Sequence, residues 1–213
     1  MIITCDEGEM ELIGPTGPIG PISPVEYVPG DYFAAMELGK LFEKEGSLEV
    51  DLGCGDGSFL VAMARLHPER NFLGTERLLA RARNTCRKAE RAGVTNLRLM
   101  RVESGYAVKH LLPAESVVRL YVLFPDPWPK RRHWGRRLIQ PEFLEAAATA
   151  LGVGGELWLK TDDADYFRHM EKVAAGCGAL SREEWKEEMP QTDFERHYAK
   201  EGRRIYSMRL IKR

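Results

Sequence analysis

From residue 33 onward, short apolar runs alternate along the chain with longer amphipathic segments. The apolar runs predict strands at Leu48–Leu52, Asn71–Thr75, 97–102, 117–124 and 156–160. The amphipathic segments predict helices at 33–43, Ser58–Leu66, 77–92, Pro141–Ala150 and Ala164–Ala175. Strands that alternate with helices favour an α/β fold, in which a mostly parallel sheet is covered by helices on both faces.

Two segments refine this prediction of the sheet. The run at 117–124 is almost continuously apolar, as expected of a central strand buried on both faces. The tail at 204–211 alternates apolar and polar positions, which predicts a half-buried antiparallel strand at the C-terminus. Because no long linker divides the chain, we expect a single domain over residues 32–213. Residues 1–31 are then an N-terminal arm that contains the Gly-Pro-rich segment GPTGPIGPISP at 14–24, too short for a triple helix.

Composition excludes several classes of protein. The chain has 213 residues, 44% of them hydrophobic and 30% charged, which is typical of a globular protein and excludes a disordered or collagen-like one. There is no apolar run of the roughly 18 residues that a membrane span needs, and the acidic N-terminus does not resemble a signal peptide. The four cysteines form no CxxC pair, so we expect no metal site, no disulfide framework and a reducing, cytoplasmic location.

A glycine-rich turn follows the first predicted strand of the alternating region. Leu48–Leu52 leads directly into Gly53, Gly55 and Gly57, and glycines let the backbone turn tightly and approach a ligand closely. The carboxyl end of a central strand is where α/β sheets bind nucleotides. Taken alone, however, the motif is equally compatible with a strand–helix turn that binds nothing.

Acidic residues around this turn indicate the kind of ligand. A dinucleotide site would have a third glycine where Ser58 stands, and Asp51 and Asp56 would repel a pyrophosphate, which argues against a nicotinamide dehydrogenase. Carboxylates instead suit a cationic ligand such as S-adenosylmethionine. Glu76, after the second strand, can accept hydrogen bonds from ribose hydroxyls. Glu103, after the third strand, faces either an adenine amine or only solvent.

The fourth strand is followed by a proline-rich loop and a basic cluster. Three prolines within residues 125–129 fix the backbone and forbid a helix there. Because neighbouring strands end together, the loop is expected to hold Asp126 and Trp128 beside the glycine turn, unless it is only a structural turn. Residues 130–137 carry five positive charges interleaved with His133 and Trp134, a combination that suits phosphates and unstacked bases.

The chain resembles the bacterial tRNA (guanine-N(7)-)-methyltransferase family, TrmB type, in five motifs, which in order are VDLGCGDG, GTE, FPDPWPKRRHWGRRL, LKTDDADY and TDFERHYAKEGRRIY. The resemblance covers residue 32 to the C-terminus. The glycine turn is shared by class I methyltransferases in general, whereas the FPDPWPK and TxFE motifs are far more specific. The resemblance implies a Rossmann-like class I fold and transfer of a methyl group from S-adenosylmethionine to N7 of a variable-loop guanine, position 46 in tRNA numbering.

The same resemblance implies roles for individual residues. It implies that the S-adenosylmethionine contacts come from Asp51, Glu76, Glu103 and Asp126, to which the glycine turn adds Gly53 and Gly55. It places Asp126 in the catalytic site as well. It implies substrate-binding roles for Lys130, Asp162, Thr192, Asp193, Phe194 and Glu195. The chain departs from the family at Asp51 and Glu103, where Glu and Asp are common, and at His197, where another basic residue is usual.

Several questions remain open at the level of the sequence. A class I methyltransferase that acts on a small molecule or a protein would show the same glycine turn. An RNA-binding protein without catalysis is a further alternative, against which the intact acids Asp51, Glu76 and Asp126 argue. The target base could stack on Phe194, Trp128 or Trp134. We expect tRNA as the partner, no membrane and no obligate protein partner, in a monomer or a homodimer.

Overall fold

The computed structural model of the chain describes residues 2–6, 9–13, 21–185 and 187–213. The strands are β1 (Ile2–Asp6), β2 (Glu9–Ile13), β3 (Glu26–Tyr27), β4 (Leu48–Leu52), β5 (Asn71–Thr75), β6 (Leu97–Met100), β7 (Val117–Leu123), β8 (Leu151–Thr161), β9 (Leu180–Glu183) and β10 (Tyr206–Lys212). The helices are α1 (Ser58–Leu66), α2 (Leu79–Ala92), α3 (Ser104–Tyr106), α4 (Pro141–Ala150), α5 (Ala164–Ala175) and α6 (Asp193–Lys200). A π-helical turn (Ala107–Leu111) continues α3.

The main sheet has eight strands in the order β3-β6-β5-β4-β7-β8-β10-β9. Neighbouring strands from β3 to β8 are parallel, and β10 runs antiparallel to both β8 and β9. The predicted mostly parallel sheet with an antiparallel C-terminal strand is therefore confirmed. Strands β1 and β2 pair with each other in a separate antiparallel hairpin.

Helices cover both faces of the sheet, and each face has its own core. Apolar residues of α4 and α5 pack on one face, and those of α1 and α2 pack on the other. Strand β7 contributes to both cores, because Leu120 and Val122 point to the first and Tyr121 to the second, all fully buried. This burial confirms that the apolar run at 117–124 is a central strand. Among the described residues, no helix is both long enough and apolar enough to span a membrane.

The helix predicted at 33–43 is wrong. The structure has only a 3-10 turn there, Leu38–Lys40. The backbone N–H of Met36 donates to the carbonyl of Leu111, and the side chains of Met36 and Leu41 are buried in the core. The spacing of apolar residues therefore reflects tertiary contacts of an irregular segment, which override the local periodicity. Strand β9 and helix α6 were not predicted.

The N-terminal segment is only partly described. Residues 14–20 of the Gly-Pro-rich segment lie outside the described residues. Strand β3 lies within the predicted arm but pairs with β6, and Val25 is buried. At least this part of the segment therefore joins the main sheet, while the division into an arm and a domain at residue 32 stays a prediction.

The sheet order places a switch point beside β4. The chain passes from β4 to β5 and β6 on one side and returns to β7 on the other. In the aligned parallel strands, Asp51 lies opposite Gly74 of β5 and Tyr121 of β7. The segments that leave the carboxyl ends of β4 and β7 thus begin side by side, where open α/β sheets bind their ligands.

Candidate active site

The turn between β4 and α1 requires glycine. Gly53, Gly55 and Gly57 all have left-handed backbone angles, with φ of 81°, 60° and 76°. A Cβ atom on Gly57 would lie 2.5 Å from the methyl carbon of Thr85, so a larger residue would be strained and would also clash. The backbone N–H of Gly53 donates to the carbonyl of Thr75 over 3.0 Å, which ties the turn to the end of β5. The glycine turn is thus held close to the edge of the sheet where β4 and β7 end.

Two buried carboxylates lie at this edge of the sheet. Asp51 is 3% exposed and Glu76 is 5% exposed. Among the described residues, no cation or hydrogen-bond donor reaches the Asp51 carboxylate. Burial, followed by the negative charge of Glu76, raises the pKa of Asp51 to about 7. Buried acids that form no ion pair among the described residues favour a cationic ligand, so the site fits S-adenosylmethionine with its amine and sulfonium and disfavours a phosphate.

Asp56, inside the turn, has a different environment. Its carboxylate accepts hydrogen bonds from the backbone and hydroxyl of Ser58 and forms an ion pair with Lys88 of α2. Burial raises the pKa of Asp56, but the bonds from Lys88 and Ser58 outweigh it and leave the pKa below its usual value. Its charge is therefore balanced within the protein. Asp51 and Glu76, rather than Asp56, are therefore the charges that would repel a pyrophosphate.

Glu76 and Glu103 follow β5 and β6 at the same edge of the sheet. One Glu76 oxygen accepts from the backbone N–H of Leu78 over 2.8 Å, which orients the carboxylate. Both Glu103 oxygens accept backbone N–H groups at the start of α3, from Gly105 at 2.9 Å and Tyr106 at 2.7 Å. Glu103 therefore caps a helix. Its contact with an adenine stays a prediction.

The proline-rich loop after β7 carries backbone strain on both sides of Asp126. Phe124 and Trp128 have φ of 57° and 43°, values that are rare for bulky residues. The backbone N–H of Phe124 donates to the carbonyl of Lys160 over 2.8 Å. The Asp126 side chain is exposed, and its loop leaves β7 next to the glycine turn. Strained backbone of this kind occurs mainly at functional sites.

The basic segment divides into exposed and buried cations. Lys130 is exposed and precedes a 3-10 helix, Arg131–Arg136. Arg131 and Arg132 are also exposed. Arg137, in contrast, is 3% exposed, and its Nε donates to the carbonyl of Pro127 over 2.8 Å. Arg137 is therefore not accessible at the surface, whereas Lys130, Arg131 and Arg132 are.

The TxFE motif forms the first turn of α6. The Thr192 hydroxyl accepts from the backbone N–H of Glu195, and a Glu195 oxygen accepts from the backbone N–H of Thr192, a reciprocal capping box. The second Glu195 oxygen accepts from Lys160. Thr192 and Glu195 are buried, whereas Asp193 and Phe194 are exposed. The structure thus gives Thr192 and Glu195 supporting contacts, and their binding of substrate stays a prediction.

Asp162, at the end of β8, lies beside α6 and the segment that follows it. Arg203 donates to the Asp162 carboxylate over 3.1 Å. Burial, followed by the negative charge of Asp162, raises the pKa of Tyr198. Asp162 therefore already has partners in the chain, and any bond to a base would be shared with them.

The three aromatic candidates for base stacking differ in their surroundings. Phe194 is 46% exposed and packs against Phe124 and Tyr198, with ring centroids 6.1 and 6.0 Å away. Trp134 lies between the guanidinium groups of Arg131 and Arg137, at 5.7 and 4.7 Å from its ring. The guanidinium of Arg136 lies 5.4 Å from the ring of Trp128. The structure favours Phe194, since its ring is the most accessible.

The contacts of Lys88, Lys160 and Tyr166 were not predicted from the sequence, although Lys160 and Tyr166 lie within the LKTDDADY motif. Lys88 and Lys160 pair with acidic residues 32 and 35 positions away, and the Tyr166 hydroxyl accepts the backbone N–H of Ile139 over 3.1 Å. A local motif does not show these contacts, because the partners are distant in the chain. In the described part of the chain, no group of three or more His, Cys, Asp and Glu side chains is arranged to hold a metal.

Comparison with known proteins relates this site to one family. Residues 45–208 match a family model described as "Putative methyltransferase". Three similar proteins are each called tRNA (guanine-N(7)-)-methyltransferase. That of Halorhodospira halophila is 38% identical over 81% of this chain and 78% of its own length. That of Syntrophotalea carbinolica is 38% identical over 65% and 57%, and that of Alkalilimnicola ehrlichii is 33% identical over 84% and 78%.

Solved structures with a similar fold include methyltransferases for different substrates. The 16S rRNA methyltransferase KamB is 17% identical with a TM-score of 0.58, over 82% of this chain and 92% of its own. An rRNA methylase from Streptococcus thermophilus is 16% identical with a TM-score of 0.54, over 79% and 88%. A geranyl diphosphate methyltransferase is 15% identical with a TM-score of 0.53, over 79% and 72%. At these identities the similarity shows the class I methyltransferase fold alone.

Proposed function

Because the chain belongs to the tRNA (guanine-N(7)-)-methyltransferase family, we propose that it transfers a methyl group from S-adenosylmethionine to N7 of a guanine in tRNA. We propose further that the target is the guanine at position 46 of the variable loop. The chain is an S-adenosylmethionine-dependent methyltransferase by family and by fold.

The observation that carries the proposal is the pair of buried acids at the switch point. Asp51 and Glu76 lie beside a glycine turn, and the Asp51 carboxylate lacks a partner among the described residues. We assign Asp51 to the cationic methionine portion of S-adenosylmethionine and Glu76 to the ribose hydroxyls. Gly53 and Gly55 let the backbone approach this ligand. Glu103 lies at the same edge, and we assign it to the adenine.

The chemistry requires alignment more than proton transfer. When bound, S-adenosylmethionine supplies an electrophilic methyl group on a sulfonium. Guanine N7 has a free lone pair and no proton, so the protein needs no strong general base at this atom. The chain must hold the base in line and exclude water.

Asp126 is our candidate for electrostatic stabilisation. Methylation places a positive charge on the purine ring, and a fixed carboxylate near the ring stabilises that charge as it develops. Asp126 sits on a loop with restricted backbone, which keeps the carboxylate from having to reorganise during the reaction. Asp162 lies at the end of the neighbouring strand β8, and we assign it to the N–H edge of the base.

Substrate binding is assigned to the exposed basic and aromatic residues near the loop. Lys130 is exposed just after the prolines and suits a backbone phosphate. Phe194 offers an accessible ring on which an unstacked guanine can lie, since a base must leave its stack to be methylated in a pocket. We also assign Thr192, Asp193 and Glu195 to substrate binding, and the capping box of Thr192 and Glu195 supports this assignment by holding the start of α6 in place.

We place the enzyme in the cytoplasm with its tRNA substrate, without an obligate protein partner, as a monomer or a homodimer. Analytical ultracentrifugation of the purified chain distinguishes these two states. A single species at about twice the mass of the chain would select the homodimer.

The function is tested by incubating the chain with labelled S-adenosylmethionine and bulk tRNA, followed by mapping of the modified nucleotide. Borohydride reduction and aniline cleavage report methylation at N7 directly. Strand cleavage in the variable loop is the expected result. Label transfer to a small molecule or a protein, with tRNA unmodified, would instead favour a class I methyltransferase with another substrate.

A further inference from the structure

Arg137 is buried directly beneath the loop that carries Asp126. Its side chain is 3% exposed, and its Nε donates to the carbonyl of Pro127 over 2.8 Å. The guanidinium lies between two aromatic rings, 4.7 Å from the centroid of Trp134 and 4.9 Å from that of Tyr166. The side chain thus joins the proline loop to α5, the helix that carries Tyr166.

The buried guanidinium of Arg137 is only partly satisfied by hydrogen bonds. Within the described residues, the Nη2 atom of Arg137 is buried without a hydrogen-bond partner, as is the indole nitrogen of Trp134. No carboxylate among the residues that the structure describes forms an ion pair with Arg137. A buried donor that lacks a partner lowers the stability of a fold. Among the described residues, the hydrogen bond that this guanidinium does make runs from Nε to the loop that carries Asp126.

The loop above Arg137 needs such a contact. Phe124 and Trp128 occupy left-handed backbone conformations on either side of Asp126, and such conformations persist only where the surrounding structure imposes them. The bond from Phe124 to Lys160 fixes the beginning of the loop. The bond from Arg137 to Pro127 fixes the residue directly after Asp126.

We propose that Arg137 is a positioning residue for methyl transfer, which acts through the carbonyl of Pro127 to fix the Asp126 carboxylate. The essential element is the N–H donor at Nε. The contacts of the guanidinium with the rings of Trp134 and Tyr166 hold the side chain under the loop, and Nη2 has no hydrogen-bond partner among the described residues. The inference rests on the proposed function, since it concerns the same reaction and the same loop.

Two neutral variants isolate this donor. In Arg137→Met, a methyl carbon occupies the position of Nε and cannot donate. In Arg137→Gln, an amide N–H occupies that position and can still reach the Pro127 carbonyl. Both variants remove the charge and the Nη atoms, so they differ mainly in the hydrogen bond. The matched controls are Arg168→Met and Arg168→Gln, at an exposed arginine of α5 that pairs with Asp165.

The measurements are the single-turnover rate with saturating tRNA and S-adenosylmethionine, the Kd for S-adenosylmethionine, and the melting temperature. We expect Arg137→Met to lower the rate by about 10²-fold, as displacement of a catalytic group does. We expect Arg137→Gln to be about tenfold faster than Arg137→Met, the equivalent of one retained hydrogen bond. The Kd and the melting temperature are expected to change little, and the controls to keep the wild-type rate.

Three results would overturn the proposal: Arg137→Met at the wild-type rate, equal losses in both variants, or a loss that only parallels a fall in melting temperature. If Arg137→Met does not fold, Arg137→Gln decides alone, since a folded Gln variant with the full 10²-fold loss contradicts a role for the donor. A wild-type chain that fails to methylate tRNA refutes the proposed function itself. If the wild-type chain methylates tRNA and Arg137→Met does so at the same rate, only the role of Arg137 is refuted.

Discussion

The hydroxyl of Ser58 donates a hydrogen bond of 3.1 Å to the carboxylate of Asp193, although the two residues are 135 positions apart. Ser58 begins α1 directly after the glycine turn, and Asp193 begins α6 within the TxFE motif. Lys88 lies 4.0 Å from the same carboxylate. The turn assigned to the cofactor and the motif assigned to the substrate are therefore in direct contact.

Replacing Asp126 with alanine is expected to abolish turnover more than it weakens binding of S-adenosylmethionine. The carboxylate is assigned to the charge that develops on guanine, and removal of one such electrostatic group typically lowers a rate by about 10²–10³-fold. The single-turnover rate and the Kd for S-adenosylmethionine separate the two effects. The control is Asp165→Ala, at an exposed carboxylate of α5. An Asp126→Ala enzyme with near wild-type turnover would show that the assignment is wrong.

Binding of S-adenosylmethionine is expected to tighten as the pH rises from about 6 to 8. The pKa of Asp51 is raised to about 7 by burial and by the charge of Glu76, and only the ionised carboxylate attracts a cation. Calorimetric titration at several pH values measures this dependence. Asp51→Asn serves as the reference, because the ligand's own titration is the same in both proteins. Parallel pH profiles for the wild type and the variant would exclude this role of Asp51.

Without ligand, the same acid is expected to make the folded chain less stable as the pH rises. The pKa of Asp51 is about 7 in the folded protein and 3.8 in an ordinary environment, so the folded state binds the proton more tightly. The stability that this raised pKa contributes is fully present below about pH 4 and is lost as the pH rises through about 7. Urea denaturation at pH 5 and pH 8 measures the free energy of unfolding. The free energy of unfolding of the wild type, minus that of Asp51→Asn, should be larger at pH 5 than at pH 8. A difference that does not change with pH would contradict the raised pKa of Asp51.

Replacing Lys130 with alanine is expected to weaken tRNA binding without altering the Kd for S-adenosylmethionine. Lys130 is exposed beside the proline loop, and one lost phosphate contact reduces the salt dependence of binding by about one unit of slope. Binding measured between low and moderate salt gives the slope. Arg182→Ala, at a paired surface arginine on strand β9, is the matched control. Unchanged affinity and slope would rule out the contact.

Replacing Phe194 with alanine is expected to weaken tRNA binding by about 1–3 kcal/mol, the usual effect of losing one stacked base. Its ring is exposed while its backbone lies in a capped helix, so the substitution should leave the fold intact. Phe33→Ala is the control, because Phe33 is also a strongly exposed aromatic. Equal effects of the two substitutions on tRNA affinity would show that Phe194 is not the stacking residue.

The central strands and four of the five predicted helices are confirmed, because each is defined by local apolar periodicity. The segment at 33–43 has similar periodicity but is irregular, since the Met36 backbone bonds to Leu111 rather than within a helix. Strand β9 has four residues and α6 has eight, most of them polar, so neither gives a clear apolar signal.

For the site, the sequence alone determined the chemical types and their order: a glycine turn, acids at the ends of successive strands, and an aspartate between prolines. These follow from motifs of a few adjacent residues. Only the tertiary structure decided which charges are balanced and which are not. Asp56 is paired with Lys88 and Asp51 is unpaired, and Arg137 is buried while Lys130 is exposed. Burial and pairing depend on residues that folding brings together from distant positions, and so no local pattern encodes them.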